Sequence, residues 1–250
     1  MDLELAGKKI LVSGGTRGIG RAIVETFLAE GAHVSFCARD AATVSRLQDE
    51  LGGNCIGWQV DVTDPAQVAN WVKASADALS GIDIIVPNVS ALLAGPDMEV
   101  WEKGYKTDLL GTVQFVNAAL PYLKESANAA VVLISSVSGR DIDIFAEPYG
   151  VFKAALIHYG KTLALKLIKD GIRVNTISPG NVYFEDGVWG KIEREQPEVF
   201  AEFIRANPTG RMATPKEIAT ATAFLASPLS SFTVGANFLI DGGLSKGVQF

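Results

Sequence analysis

The sequence predicts an α/β protein, a doubly wound parallel sheet with helices on both faces, folded as one domain over residues 1–250. Three observations carry that expectation. Short apolar runs alternate with segments of helical periodicity from one end of the chain to the other. A glycine-rich turn, Ser13-Gly14-Gly15-Thr16-Arg17-Gly18-Ile19-Gly20, stands between the first such run and the first such helix. No linker and no internal repeat divides the chain.

Taken in order, Lys9 to Val12 reads as a buried strand, and Ala22, Ile23, Phe27 and Leu28 recur at helical spacing after the glycine turn. Small residues there let backbone approach a pyrophosphate, while the helix start offers unpaired N–H groups and its positive dipole end. The same pattern, taken alone, also fits an ordinary tight strand-to-helix turn. Gly31-Ala32 closes the first helix, and His33 to Ala38 is the second strand. Cys55 to Val60 is the third and leads into Asp61. Asp64-Pro65 reads as an N-cap followed by proline at the first helical position, opening a helix that holds Val68, Val72 and Leu79. Ile82 to Val86 is the fourth strand, followed by a long helix from about Val100 to Leu123. Strands at Val131–Ile134 and Ile172–Ile177 flank a helix from Tyr149 to Ile168, and Asn237–Ile240 precedes Asp241-Gly242-Gly243. From 182 to 208 the rhythm breaks. Tyr183, Phe184, Trp189, Phe200 and Phe203 lie among charges in a stretch too long for a simple loop, which fits a helical flap over a site. It also fits a peripheral helical pair that only packs or meets a neighbouring subunit.

Apolar residues make up 48% of the chain and charged residues 20%, enough for a large core. A net charge of −6 argues against a nucleic-acid surface, although phosphates can still be held locally by amides and a few arginines. Cys37 and Cys55 fit no metal or redox spacing and read as buried free thiols of a reducing compartment. His33 and His158 have no third ligand in sight and read as packing or surface residues, so no metal is expected. The start Met1-Asp2-Leu3-Glu4 has no signal-peptide pattern, and no apolar run is long enough for a bilayer. The expectation is a soluble cytoplasmic protein with no nucleic-acid or membrane partner.

Tyr149 and Lys153 are one helical turn apart and so share a face. An ammonium beside a phenol favours the phenolate, making the tyrosine a usable proton donor or acceptor near neutral pH. Ser136 lies just past the fifth strand, where an open sheet forms its ligand crevice, and its hydroxyl suits a substrate oxygen. On its own, a Tyr and a Lys four apart more often form a surface pair.

Joined to the glycine turn, these residues resemble the short-chain dehydrogenase/reductase family over essentially the whole chain. The matching pieces are Gly14 to Gly20, Asp61-Val62, Asn88, Ser136, Tyr149 with Lys153, Pro179-Gly180 and Asp241-Gly242-Gly243. The resemblance implies a Rossmann-type fold and NAD(P)-dependent oxidoreduction. It implies that Tyr149 is the general acid, that Ser136 positions the carbonyl oxygen, and that Lys153 contacts the nicotinamide ribose. It further implies cofactor contacts at Gly14, Thr16, Arg17, Gly18, Ile19, Gly20, Pro179 and Gly180, with Asp61 and Val62 at the adenine, Asn88 at the adenosine ribose and the Val182 backbone at the carboxamide. Homo-oligomerisation as a homotetramer or homodimer is implied as well, through the two long helices and the C-terminal Gly247 to Phe250.

Three positions depart from the family pattern. Asp108 stands where an asparagine is usual; an ionised carboxylate there would hold the Lys153 ammonium or a relay water and alter the pH profile. Pro87-Asn88-Val89-Ser90 replaces Asn-Asn-Ala-Gly, and Phe184 replaces a threonine after Pro-Gly. After the second strand, Ala38-Arg39 offers no carboxylate for a ribose 2′-hydroxyl, while Arg17 and Arg39 suit a 2′-phosphate; Asp40 reads as the next N-cap. NADP is therefore preferred to NAD. Leu92, Leu93, Ile142, Ile144, Phe145 and Tyr183 suggest a largely apolar pocket, although many would serve equally as core. Asp141 and Asp143 read as a solvated loop. Members of similar shape include 3-oxoacyl-carrier-protein reductases, but Asp170 stands where those tend to place a basic docking residue. The reading is an NADP(H)-dependent oxidoreductase interconverting a carbonyl and a secondary alcohol on a small, free, largely apolar substrate. An NAD-linked alcohol or diol dehydrogenase and a non-catalytic nucleotide-binding regulator are the alternatives.

Overall fold

The computed structural model describes residues 2–142, 144 and 146–247. The expectations for Asp143, Phe145 and residues 248–250 lie outside the described residues. Strands β1 (Lys9–Ser13), β2 (His33–Ala38), β3 (Cys55–Gln59), β4 (Ile84–Val86), β5 (Ala130–Ile134), β6 (Arg173–Pro179) and β7 (Asn237–Ile240) form one sheet in the order β3-β2-β1-β4-β5-β6-β7. Every neighbouring pair is parallel. The chain winds outward from β1 to β3, returns to place β4 beside β1, and winds outward again. The reversal between β1 and β4 creates a crevice at the carboxyl ends of the strands.

A parallel sheet is covered on both faces, so its strands read as continuous apolar runs whose alternate residues enter different cores. Ile10, Val12, Val34, Phe36, Val132 and Ile134 pack under α1 (Gly18–Ala29), α2 (Ala41–Leu51) and α9 (Pro215–Ala226). Leu11, Cys37, Ile85, Val131 and Leu133 pack on the other face under α3 (Pro65–Leu79), α5 (Gly111–Leu123) and α6 (Glu147–Leu167). The predicted caps are present. Asp40 accepts the Thr43 N–H at 2.8 Å, and Asp64 accepts those of Ala66 and Gln67 at 2.9 and 3.2 Å with Pro65 behind it. Each cap contributes about 1 kcal/mol. Burial pushes the Cys37 and Cys55 thiols up to about 12, which makes them poor nucleophiles.

The long helix expected over Val100 to Leu123 is continuous from Met98 to Leu123 but not uniform. Between α4 (Met98–Gly104) and α5 lies a π-helical turn, Tyr105–Leu110. Glycines bracket it for a packing reason. A Cβ on Gly104 would sit 2.9 Å from the Phe152 ring, and one on Gly111 would sit 3.1 Å from Val62.

Arg173, at the start of β6, is buried and donates to the carbonyls of Leu225, Ala226, Ser227 and Ser230 and to the Ser230 hydroxyl at 2.8–3.2 Å. The Leu225 and Ala226 carbonyls end α9 and those of Ser227 and Ser230 follow it, so the cation also meets the negative dipole end of the helix. Arg173→Leu is expected to cost about 3–5 kcal/mol, because several buried acceptors lose their donor at once. Denaturant unfolding checks this; a cost below about 1 kcal/mol would show that water replaces the guanidinium.

The 182–208 region contains two short helices, α7 (Val188–Glu195) and α8 (Pro197–Ala206). They pack chiefly on each other and on the chain leading into them. Trp189 meets Phe203 at 4.7 Å between ring centroids, and Tyr183 meets Phe200 at 5.8 Å. At its base this hairpin joins the body through a parallel bridge between Val182 and Ala213. Among the described residues, no helix is long and apolar enough to cross a membrane.

Candidate active site

The glycine turn leaves β1 at the switch point. Gly14 and Gly15 donate to the Cys37 carbonyl at 2.8 and 3.1 Å, which folds the turn over the end of β2. Gly14 and Gly18 have φ of +74° and +53°, and a Cβ on Gly20 would lie 2.0 Å from the Gly14 oxygen. α1 opens behind an extended Arg17 whose side chain makes no capping bond, so the first-turn N–H groups remain available to an anion. This turn fits a pyrophosphate. Thr16 is half-buried at its crest, and Ile19 packs against the core below. Arg17 and Arg39 are exposed, and neither pairs with a carboxylate among the described residues.

The other predicted cofactor residues surround the same crevice. Asn88, after β4, donates its backbone N–H to Ser13 Oγ at 3.0 Å and its side-chain amide to the carbonyls of Ser13 and Gly14 at 3.1 and 3.3 Å. It therefore braces the turn, and Ser13 is a partner that sequence reasoning missed. Asp61 uses Oδ1 to hold the Thr63 N–H and hydroxyl at 2.9 and 2.8 Å, while Val62 is buried against Gly111. Pro179-Gly180 ends β6 against Asp241; a Cβ on Gly180 would lie 2.8 Å from the Asp241 Cα. The bridge at Val182 uses the Asn181 carbonyl and the Tyr183 N–H, both at 2.9 Å, so the N–H and C=O of Val182 itself face the opposite side. Phe184 fits its ring between Gly18 and Gly187: a Cβ on either would lie 2.6–2.8 Å from the far ring atoms.

Tyr149, Lys153 and Asp108 come together near the end of β5, and Ser136 follows the same strand. Ser136 is buried after β5 and accepts the Ser138 N–H at 3.1 Å. The short turn Val137–Gly139 that follows it lies directly on α6; a Cβ on Gly139 would be 2.7 Å from the Lys153 backbone, and Ser135 Oγ donates to the Lys153 carbonyl at 2.7 Å. Serine and helix are thus held as one unit. Tyr149 lies in the first turn of α6, which begins at Glu147 rather than Tyr149 because Pro148 suits a first-turn position. Lys153 Nζ is 5.5 Å from the Tyr149 ring centroid, donates to the Ile134 carbonyl at 3.2 Å and lies 3.5 Å from Asp108 Oδ1. Both partners of that ion pair have 2% side-chain exposure, so the charges meet away from solvent. Tyr159, further along α6, is pushed up to about 12 by burial.

Asp108 belongs to the π-helical turn. Its Oδ1 also accepts Ser90 Oγ at 2.5 Å, its Oδ2 accepts the Ala91 N–H at 2.8 Å, and its carbonyl accepts Thr112 Oγ1 at 2.8 Å. Two positions that depart from the family pattern, Ser90 and Asp108, are therefore in direct contact. Of the residues expected to line an apolar pocket, Leu92, Ile142 and Ile144 are exposed, Leu93 is half-buried, and Tyr183 donates to Glu193 at 2.5 Å. That bond holds the Tyr183 phenol above its ordinary pKa.

A doubly wound sheet with an anion-accepting turn at its switch point, and a phenol–ammonium pair beside it, defines a nucleotide-dependent oxidoreductase. The chain belongs to the short-chain dehydrogenase/reductase family, whose members use NAD(P)H: a family model described as enoyl-(acyl carrier protein) reductase matches residues 14–245. It is 38% identical to isoepoxydon dehydrogenase of Penicillium expansum over 98% of both chains. It is 31% identical to the 3-oxoacyl-[acyl-carrier-protein] reductase of Vibrio cholerae over 97% of this chain and 99% of that one. A solved NADPH-bound short-chain oxidoreductase from Pseudomonas aeruginosa, described as containing an atypical catalytic center, superposes with a TM-score of 0.91 at 30% identity, covering 97% of this chain and 99% of the other. The protein is an oxidoreductase of this family, acting on a small-molecule substrate.

Proposed function

We propose that the protein interconverts a carbonyl and a secondary alcohol on a small, largely apolar substrate, using NADP(H). The observation that carries this reading is the buried Lys153, which faces the Tyr149 ring on one side and Asp108 on the other. The nicotinamide, when bound, supplies or accepts the hydride. In the reducing direction the Tyr149 hydroxyl gives its proton to the carbonyl oxygen as negative charge builds there, and Ser136 Oγ donates a second hydrogen bond to the same oxygen. The Lys153 ammonium stabilises the phenolate that remains and meets the nicotinamide ribose. Asp108 holds that ammonium in place from 3.5 Å, so its action is positional.

For the cofactor, Gly14, Thr16, Gly18, Ile19 and Gly20 form the pyrophosphate cradle. Asp61, Val62 and Asn88 take the adenosine side; Pro179, Gly180 and the Val182 backbone take the nicotinamide side. Arg17 and Arg39, both exposed and lacking carboxylate partners among the described residues, suit a 2′-phosphate, while Asp40 is committed to its helix cap. The α7–α8 hairpin acts as a lid, anchored to the body at the Val182–Ala213 bridge. A homo-oligomer and a cytoplasmic location complete this reading.

Fluorescence titration with both nucleotides, followed by a ketone panel, tests the proposal. One or two charge-assisted hydrogen bonds to the 2′-phosphate predict a preference for NADPH of roughly 10- to 100-fold. Tighter binding of NADH would overturn the arginine argument. Nucleotide binding without turnover of any carbonyl or alcohol would leave a binder rather than an enzyme.

A further inference from the structure

We propose that Leu92 is a specificity-determining residue, a fixed apolar stop against which the carbon chain of the substrate packs beside the reacting carbonyl. The proposal rests on the functional reading above and gives its apolar substrate class a structural basis.

The first observation is backbone strain. Leu92 has φ +48°, a left-handed conformation in which a leucine side chain crowds its own backbone. Among the described residues two other non-glycine positions share the left-handed region, Glu4 and Ser80; both are polar, and Ser80 caps the end of α3. Leu92 ends no helix. Three residues later the same loop turns with φ +119° at Gly95, using the residue that adopts positive φ without penalty. A leucine retained where glycine would be easier implies work for its side chain.

The second observation is how the strain is held. Leu92 donates its N–H to Ser90 Oγ at 3.1 Å, and Ser90 Oγ in turn meets Asp108 Oδ1 at 2.5 Å. Asp108 Oδ2 takes the intervening Ala91 N–H at 2.8 Å. The same carboxylate lies 3.5 Å from Lys153 Nζ. One buried anion therefore fixes both the lysine and the short arm that carries Leu92, so the arm keeps a set position relative to the chemistry.

The third observation is exposure. Leu92 is 51% exposed, so the arm is not maintained to fill the core. The loop after β5, the strand paired with β4, carries Ile142 and Ile144, which are 91% and 77% exposed. Apolar side chains thus stand open on both loops that leave the strand ends next to Ser136. Exposed apolar side chains on the loops at the carboxyl ends of the strands offer a surface that an apolar ligand can cover.

The test is a series of methyl ketones from butan-2-one to octan-2-one, reduced with saturating NADPH by the wild type and Leu92→Gly. Glycine accepts the backbone angle, so the variant is expected to fold with an equal or higher Tm. Its kcat/KM should fall about tenfold on octan-2-one and less than about twofold on butan-2-one, with the loss mainly in KM. Leu92→Asn, which also tolerates the left-handed region, should show the same loss and gain relative preference for hydroxylated ketones. An equal loss along the whole series, or no loss, overturns the role of Leu92 while leaving the oxidoreductase reading intact. Failure of the wild type to reduce any ketone, or to oxidise the matching alcohols with NADP, overturns that reading and this proposal together.

Discussion

Tyr149→Phe is expected to lower carbonyl reduction by about 10²- to 10⁴-fold, the range associated with loss of a positioned general acid. The substitution removes one hydroxyl and keeps the ring that faces Lys153 Nζ at 5.5 Å, so this contact within α6 persists. Binding of NADPH, measured by fluorescence titration, should change little, because the turn formed by Gly14 to Gly20 lies at a different strand end. The fall should appear in kcat and kcat/KM alike, as for an interaction made mainly in the transition state. Retention of wild-type kcat would exclude the phenol as proton donor and return attention to Ser136.

Lys153→Met is expected to affect folding as well as chemistry. Lys153 and Asp108 are buried together, and removing the lysine leaves a buried carboxylate without its counter-ion. Such a loss costs about 3–5 kcal/mol, which for a chain of this length lowers Tm by roughly 6–20 °C. Ser90 Oγ and the Ala91 N–H would still donate to the carboxylate and place the effect towards the lower end. The double variant Lys153→Met with Asp108→Asn removes both charges and should recover most of the stability but none of the turnover. Calorimetry on the two variants separates the contributions: equal Tm values would show that the ion pair is not what holds this corner of the fold.

The framework was legible in the sequence because a two-faced parallel sheet leaves a strong trace. All seven strands were expected within about two residues of their observed ends, since each is a compact apolar run between polar turns. Asp40 and Asp64 announced α2 and α3 by cap chemistry that depends only on neighbouring residues. The Tyr149–Lys153 spacing carried the same kind of local information. What the sequence concealed depends on contacts between distant segments. Nothing in its apolar periodicity marks the π-helical turn at Tyr105–Leu110, because one extra residue shifts the pattern too slightly to read. The meeting of Ser90 with Asp108 follows from that turn and was therefore invisible; the two positions looked like separate oddities. Arg173 resembled an ordinary strand residue until α9 was seen to end against it.

The widened turn in the middle of the long helix also makes the length of that segment unforgiving. Successive residues of an α-helix are rotated by about 100°, so deleting any one residue between 105 and 110 would restore regular coiling and swing Asp108 away from Lys153. The helix continues without a break on both sides, which leaves no loose end to absorb the shift. Insertions and deletions should therefore be far less tolerated here than in the exposed turn at residues 52–54 between α2 and β3, and a library of single-codon deletions would show a sharp trough across these six positions.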